Sequence, residues 1–345
     1  MSRYAEAHKV ANLAGPGDAR PTARQVIQDE DLVGKLNDKV FLVTGVSSGL
    51  GIDTLRALHT TGAHVYGTVR NVPKGQAVVD QILSEKHPGG GKITLIEMSL
   101  DNLASVRSGA ADFLEKSGGQ LNVLIGNAGI MACPYALTQD GFETQFGTDH
   151  LSHFLLFHLL KDALLSSASP SFPSRYVSVS SIAHILGSLN VSDYNYEHSP
   201  YDPWKAYAAA KTANIWFANS IERHYGSRHL HATSVHPGGI QDTGLDKYLS
   251  DETKKAMFSD PGMLRTFKNA EQGAATQVYA AVSAEWKSKG GRYLSSLSDQ
   301  KSREERAGEE GMYDNANEGY ASWAYDEEKE EKLWEDSFGL VGLKQ

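Results

Sequence analysis

An apolar run, Val40-Phe-Leu-Val43, breaks into Thr44-Gly45-Val-Ser-Ser-Gly49-Leu-Gly51 just where an amphipathic helical pattern begins. No other stretch narrows the possible folds so far, because a buried strand that ends in a glycine turn and restarts as a helix is the first half of a βαβ unit. Gly45 permits the tight turn, Gly49 lets a pyrophosphate approach the backbone, and Gly51 lets the helix pack closely on the strand. The free N–H groups and the dipole at the helix start favour phosphate, with Ser47, Ser48 and Leu50 on the same turn. A dinucleotide suits this arrangement, although an ordinary βα turn would show the same cluster.

The helix stops at Gly62, and Ala63-His-Val-Tyr-Gly-Thr68 supplies the second strand. The residue that follows such a strand meets the adenosine ribose. An acid there accepts from a 2′-hydroxyl, whereas an Arg accommodates a 2′-phosphate. Here the sequence reads Thr68-Val69-Arg70-Asn71 with Lys74 close by and no carboxylate, which favours NADP(H) over NAD(H). A solvated loop cation is the plainer account of Arg70.

The alternation continues. Lys92–Glu97 reads as a third strand, Leu103–Lys116 as a helix, and Leu121–Gly126 as a fourth strand running into Asn127-Ala128-Gly129. A long helical pattern, about Asp140 to Ser166, precedes the strand Arg175–Ser180. A loop to Trp204, a helix from Lys205 to Tyr225 and the strand Leu230–His236 follow. Six strands alternating with helices predict an α/β protein, a Rossmann-type doubly wound parallel β-sheet with helices on both faces in a single domain, residues 37–300. Further helices are expected near Asp251–Phe258 and Asn269–Glu285, and a short strand at Gly291–Leu294. Residues 1–36 read as an arm with a short helix near Thr22 to Gln28. Residues 301–345 form an extension closed by a charged helix, Tyr325–Ser337, anchored by Leu333, Trp334 and Phe338.

A net charge of −9, with Lys and Arg scattered singly, argues against a nucleic-acid or anionic-membrane surface and for a small-molecule partner. Cys133 is the only cysteine, so neither an intramolecular disulfide nor a cysteine-based zinc site can form, and no metal site is expected. No apolar run reaches the roughly 20 residues needed to span a bilayer, and the first residues lack a signal-type core. A cytoplasmic protein without an integral membrane segment is expected.

Tyr207-Ala-Ala-Ala-Lys211 places a phenol and an ammonium on one helix face a turn apart. A cation within reach stabilises phenolate and lowers the Tyr pKa toward the working pH, as a general acid/base requires. Ser180-Ser181 closes a strand at the carboxyl edge of the sheet, where ligands bind in open α/β folds. His150 and His153, three apart, are accompanied by no carboxylate or third His in a metal pattern and read as packing. Cys133 is given no role. A hydrolase triad lacks its GxSxG elbow. Tyr194, Tyr196, Tyr201 and Trp204 either pack a long loop or wall a hydrophobic substrate.

The order TGxxxGxG, NAG, strand-end Ser, YxxxK and PG resembles the short-chain dehydrogenase/reductase family. The wording Asn127-Ala-Gly-Ile-Met131, His150-Leu-Ser-His-Phe154, Val177-Ser-Val-Ser-Ser-Ile-Ala-His184 and His236-Pro-Gly-Gly-Ile240 is similar to its retinol dehydrogenase and WW-domain oxidoreductase branch, filamentous-fungal members above all. The resemblance implies that Tyr207 donates a proton to a carbonyl oxygen while hydride arrives from nicotinamide C4. Lys211 would hold the nicotinamide ribose and tune Tyr207, and Ser181, rather than its neighbour Ser180, would hydrogen-bond the oxygen. It also implies that Gly45, Ser47, Ser48, Gly49, Leu50 and Gly51 form the phosphate turn, Arg70 reads the 2′-phosphate, Leu100 packs on the adenine, and Asn127, Ala128 and Gly129 border the adenine ribose. Pro237, Gly238, Ile240 and Thr243 would lie by the nicotinamide, with the Thr243 spacing one residue long.

Three residues depart from that pattern. Asp149 stands where the catalytic tetrad has Asn, a residue that acts there through its backbone carbonyl and a water leading to the Lys. If ionised, Asp149 would hold Lys211 charged and weaken its pull on Tyr207. Ser99 replaces a strand-end Asp that caps the adenine, with Asp101 two residues on, and Gly126 replaces an Asn before NAG. The expected function is an NADP(H)-dependent oxidoreductase interconverting carbonyl and alcohol on a fairly apolar small molecule such as a secondary-metabolite intermediate, as monomer or homodimer. A non-redox acid/base enzyme (isomerase, dehydratase or cyclase) and a catalytically poor nucleotide-binding protein are the alternatives.

Overall fold

Strand β1 (Val40–Val43) is short, and both its faces are buried: Leu42 points into one apolar cluster while Phe41 and Val43 point into another. The computed structural model describes residues 2–241, 243–257, 259–306 and 318–344. Around β1 lie β2 (His64–Val69), β3 (Ile93–Glu97), β4 (Val123–Gly126), β5 (Ser174–Val179), β6 (Leu230–His236) and β7 (Arg292–Ser295), parallel and in the order β3-β2-β1-β4-β5-β6-β7. The strand order reverses between β1 and β4, which opens a crevice at their carboxyl ends.

Helices α1 (Ala23–Asp29), α2 (Leu50–His59), α3 (Val72–Ser84) and α7 (Ala275–Val282) cover one face through residues such as Ile27, Leu55, Ile82 and Val278. Helices α4 (Leu103–Ser117), α5 (Ser152–Ser167), α6 (Pro203–Tyr225) and α8 (Glu327–Leu340) cover the other through Phe113, Phe154, Trp216 and Trp334. The chain is thus one doubly wound domain.

Several local details differ from the sequence expectation. Helix α3 was not foreseen, although Asn71 caps it by accepting from Lys74 N at 2.8 Å and Pro73 sits in its first turn. The expected helix from Asp140 begins late, at Thr144. Gly141 turns with φ +85, and the Glu143 carboxylate accepts from the N–H groups of Gln145 and Phe146. Between Thr144–Phe146 and α5 the chain widens into a π-helical turn, Gly147–Leu151, which carries Asp149. A two-residue hairpin, Ser296 and Leu297 at φ +53 and +55, adds the antiparallel β8 (Ser298–Asp299), with no Asn-Gly signal to announce it. The helix expected to Phe258 spans Asp251–Met257, and Phe258 lies outside the described residues.

The N-terminal arm is clasped to the segment that follows the substrate side of the sheet. Arg20, buried, donates to Thr266 O at 2.7 Å and Gly15 O at 3.2 Å, Arg265 Nε donates to Leu13 O at 2.8 Å, and Gln272 Nε2 donates to Arg20 O at 3.0 Å.

Candidate active site

A cavity of about 880 Å³ occupies the crevice, with the glycine turn at one end and Tyr207 at the other. At the first end the backbone is packed too tightly for side chains. A Cβ on Gly45 would stand 2.7 Å from Ala128 Cβ, and one on Gly51 would stand 2.1 Å from Gly45 O. Thr44 Oγ1 accepts the N–H groups of both Asn127 and Ala128 at 2.9 Å, and Asn127 Nδ2 donates to Thr44 O at 2.9 Å, so the two turns are locked together. Gly45, Ser47, Ser48, Gly49, Leu50, Leu100, Asn127, Ala128 and Gly129 line the cavity, while Gly51 lies behind it. Gly49 opens α2, whose N-terminus faces the cavity.

Arg70 and Lys74 are exposed at the mouth, and among the described residues no carboxylate pairs with either. Glycines that admit no side chain, at a helix N-terminus beside two cations without a carboxylate partner, fit a dinucleotide. Asp101 reaches back to the departure at Ser99: the Ser99 hydroxyl donates to its carboxylate, and Asp101 itself stands on the wall.

At the other end, Tyr207 and Lys211 of α6 are buried, with Lys211 Nζ 5.4 Å from the phenol ring centroid. Ser181 stands beside the phenol on the cavity wall and draws its pKa down. Ser180 is otherwise engaged, because its hydroxyl donates to Lys211 O at 2.7 Å. Lys211 Nζ lies 2.8 Å from Asp149 Oδ2, and Asp149 Oδ1 accepts the Ile130 N–H at 2.8 Å. Asp149 is fully buried and off the cavity wall, so it acts on Lys211 and touches nothing in the cavity.

One expectation is corrected here. Burial pushes the Tyr207 phenol above its usual value, Lys211 pulls it down and Asp149 pushes it up again, leaving it raised rather than lowered. Burial works against the Lys211 ammonium, but Asp149 and Tyr207 more than offset this and hold it charged. The Asp149 carbonyl accepts His153 Nδ1–H at 3.1 Å. Thr44, already accepting two N–H groups, gives its own proton to His153 Nε2 at 2.9 Å, which keeps that histidine neutral, with burial holding its pKa at about 4.

The Gly126 departure has a steric cause: a Cβ there would meet Tyr176 Oη at 3.0 Å and His153 Cδ2 at 3.1 Å. His150 Nε2 meets Ser337 Oγ at 3.1 Å, a packing contact. Among the described residues, no group of three or more His, Cys, Asp or Glu could hold a metal ion. Burial pushes the Cys133 thiol up to about 11.

The rest of the cavity is largely apolar, walled by Met131, Ile182, Trp204, Leu245, Tyr248 and Met263. Of the aromatic cluster only Trp204 reaches it. Tyr194 stacks on Phe146 at 4.8 Å and donates to Asp336 at 2.7 Å, Tyr201 donates to Cys133 O at 2.9 Å, and Tyr196 packs edge-on against Tyr201. Pro237, Gly238, Ile240 and Thr243 complete the wall. Thr243 packs over Gly49, and its hydroxyl accepts the Leu245 N–H at 3.4 Å. Sequence reasoning missed Lys268, whose buried ammonium donates to Pro237 O at 3.1 Å and which burial pushes down to about 8. A lone Lys far along the chain carried no signal.

Residues 39–254 match the short chain dehydrogenase family model. The chain is a short-chain dehydrogenase/reductase, an oxidoreductase of a family that uses a nicotinamide cofactor. Short-chain dehydrogenase/reductase prx1 of Penicillium roqueforti is 44% identical over 99% of this chain and 96% of its own length. Retinol dehydrogenase 12 of Mus musculus is 34% identical over 74% of this chain and 77% of its own. The WW domain-containing oxidoreductase of Homo sapiens is 34% identical over 80% and 65%. The resemblance to that branch and to fungal members is thereby borne out.

Among solved structures, a protein from Mycobacterium paratuberculosis superposes with a TM-score of 0.64 at 30% identity, covering 89% of this chain and 94% of its own. The Pseudomonas aeruginosa RhlG/NADP active-site complex shares the fold, with a TM-score of 0.60 at 21% identity over 76% and 96%. No helix among the described residues is long and apolar enough to cross a membrane.

Proposed function

We propose that this short-chain dehydrogenase/reductase interconverts a carbonyl and an alcohol on a fairly apolar small molecule with NADP(H), in the manner of a secondary-metabolite enzyme. The observation that carries this reading is the pairing, across one cavity, of the Tyr207–Lys211–Ser181 group with a glycine cradle flanked by Arg70 and Lys74. When bound, the cofactor supplies or takes up hydride at nicotinamide C4. In reduction the Tyr207 phenol gives its proton to the substrate oxygen, and Ser181 hydrogen-bonds that oxygen as it gains charge. Lys211 remains an ammonium placed to hold the nicotinamide ribose. The apolar wall near Tyr207 suits a substrate with few charges and excludes water from the reacting carbon.

The catalytic unit is residues 37–300, with 1–36 as an arm and 301–345 as an extension, and we read the protein as cytoplasmic. A monomer is supported by the covered faces of α5 and α6: Phe154 packs on Trp334 at 5.5 Å and Phe338 at 5.2 Å, and Trp216 Nε1 donates to Trp323 O at 2.8 Å. A second reading, non-redox acid/base chemistry at Tyr207, is favoured by the Asp149–Lys211 pair, which leaves the phenol protonated.

The test is a pair of fluorescence titrations with NADPH and NADH at one ionic strength, followed by transfer of label from C4-deuterated NADPH to product. The expected result is NADPH binding at least about tenfold tighter, some 1.4 kcal/mol, with label in the alcohol. Turnover without label would establish the acid/base reading instead.

A further inference from the structure

Ser181 is held from behind by a histidine, and that histidine is held by the C-terminal extension. Ser181 lies two residues past the end of β5 and caps the single turn Ile182–Leu186, with its Oγ accepting the Ala183 N–H at 3.1 Å. Its carbonyl accepts from His184 Nδ1 at 2.7 Å. On the far side of the ring, His184 Nε2 meets the Ala321 N–H at 3.1 Å. A backbone N–H can only donate, so Nε2 is bare and the ring proton stands on Nδ1, aimed at the Ser181 carbonyl. The ring is fully buried and edge-on to Tyr293 at 4.9 Å.

The extension reaches this turn and the catalytic helix together. Trp323 Nε1 donates to His184 O at 3.2 Å, Trp216 Nε1 of α6 donates to Trp323 O at 2.8 Å, and Asn219 Nδ2 of α6 donates to Ala324 O at 3.1 Å. A second buried histidine, His236, accepts the Ile182 N–H on Nδ1 at 3.2 Å and so fixes the other side of the serine turn. Residues 321–324 lie beyond the stretch matched by the family model, yet they bridge the two elements that carry Ser181 and Tyr207.

We propose that His184 is the positioning residue for Ser181, and that the Ala321–Ala324 segment is part of the active site because it fixes the His184 tautomer that donates to the Ser181 carbonyl. This rests on the reading of Ser181 as the group that meets the reacting oxygen. A hydroxyl displaced by a fraction of an ångström from an oxyanion loses most of its value, so His184 acts on turnover through Ser181 while leaving the distant phosphate turn untouched.

The test uses the full chain and has two arms. Nitrogen-15 NMR of labelled histidines, with His184→Asn for assignment, reads the ring directly. A neutral ring protonated at Nδ1 at pH 7 is expected, and a ring protonated at Nε2 or doubly protonated overturns the proposal whether or not any substrate is turned over.

The second arm measures NADPH-dependent reduction of a panel of aromatic ketones and diketones. His184→Phe keeps the ring volume and removes both hydrogen bonds. It is expected to lower kcat by about tenfold or more while NADPH affinity stays within about twofold. His184→Asn, which retains a donor at the Nδ1 position, is expected to recover most of that loss. In a Ser181→Ala background the His184→Phe change is expected to cost less than about twofold. An undiminished loss in that background, or an unchanged kcat in His184→Phe, overturns it. Absence of any wild-type turnover counts against the carbonyl-reductase reading and leaves the NMR result to decide this one.

Discussion

Lys211 Nζ and Asp149 Oδ2 lie 2.8 Å apart, the carboxylate fully buried and the ammonium nearly so at the cavity wall, and a hydrogen bond from Ile130 N–H to the other carboxylate oxygen keeps them so. The pair sets the charge felt by Tyr207. An ammonium facing the phenol alone would draw its proton off more readily, and one already neutralised draws less.

Replacing Asp149 by Asn removes a negative charge that pushes the Tyr207 phenol up. The phenol pKa is expected to fall. Alcohol oxidation needs the phenolate, so its rising pH–rate limb moves to lower pH, while reduction at neutral pH, run on the protonated phenol, changes little. Carbon-13 NMR of labelled tyrosine, with Tyr207→Phe for assignment, reads the shift without a substrate. An unmoved Tyr207 titration would show that Asp149 is electrically silent there.

Gly129 leaves no space for a methyl group, because a Cβ would stand 3.0 Å from both Asp149 Oδ2 and Lys211 Nζ. Gly129→Ala is therefore expected to lower stability by about 1–3 kcal/mol through overpacking and to depress turnover with it. Urea unfolding of the two proteins measures the difference, and equal midpoints with equal m-values would mean that the pair yields freely.

Arg70→Ala is expected to weaken NADPH by about tenfold and NADH by far less, since only the former carries the 2′-phosphate we propose Arg70 to hold. Isothermal titrations at one salt concentration decide it, and equal losses would make Arg70 a bystander.

Acid should unfold the protein through its buried imidazoles. Burial, the leading cause at each, holds His150 and His158 at about 3 and His153 and His184 at about 4. Their folded pKa values lie below the unfolded value, so the unfolded chain takes up protons first as pH drops past about 6.5, and stability declines from there toward pH 4 by about 2–3 kcal/mol per histidine. Urea midpoints between pH 7 and pH 4 follow this, and a flat profile would contradict it.

The glycine turn, the parallel order and the Tyr207–Lys211 pair were legible because each is a local pattern whose physics depends on a few adjacent residues. Helix α3 was legible too, in Asn71 and Pro73, and was overlooked. The π-helical turn at Asp149 was not, since the extra residue in a helix is accommodated by tertiary packing and leaves the 3.6-residue period nearly intact. His184 read as one word of a family pattern; its partner, Ala321, is 137 residues away and contributes only a backbone N–H, which any residue but proline would offer. Lys268 and the arm's Arg20 were silent for the same reason, as each does its work on backbone carbonyls.

The wall facing Tyr207 is strung between two tied ends: Ile240 and Lys268 form a single parallel bridge, Lys268 N donates to Gly239 O at 2.9 Å, and Arg20 grips the backbone just before it. What lies between hangs from a closed neck. Such a segment can be rewritten, lengthened or swapped between relatives while the reacting groups keep their places, so a change of substrate in this lineage would require no redesign of the catalyst.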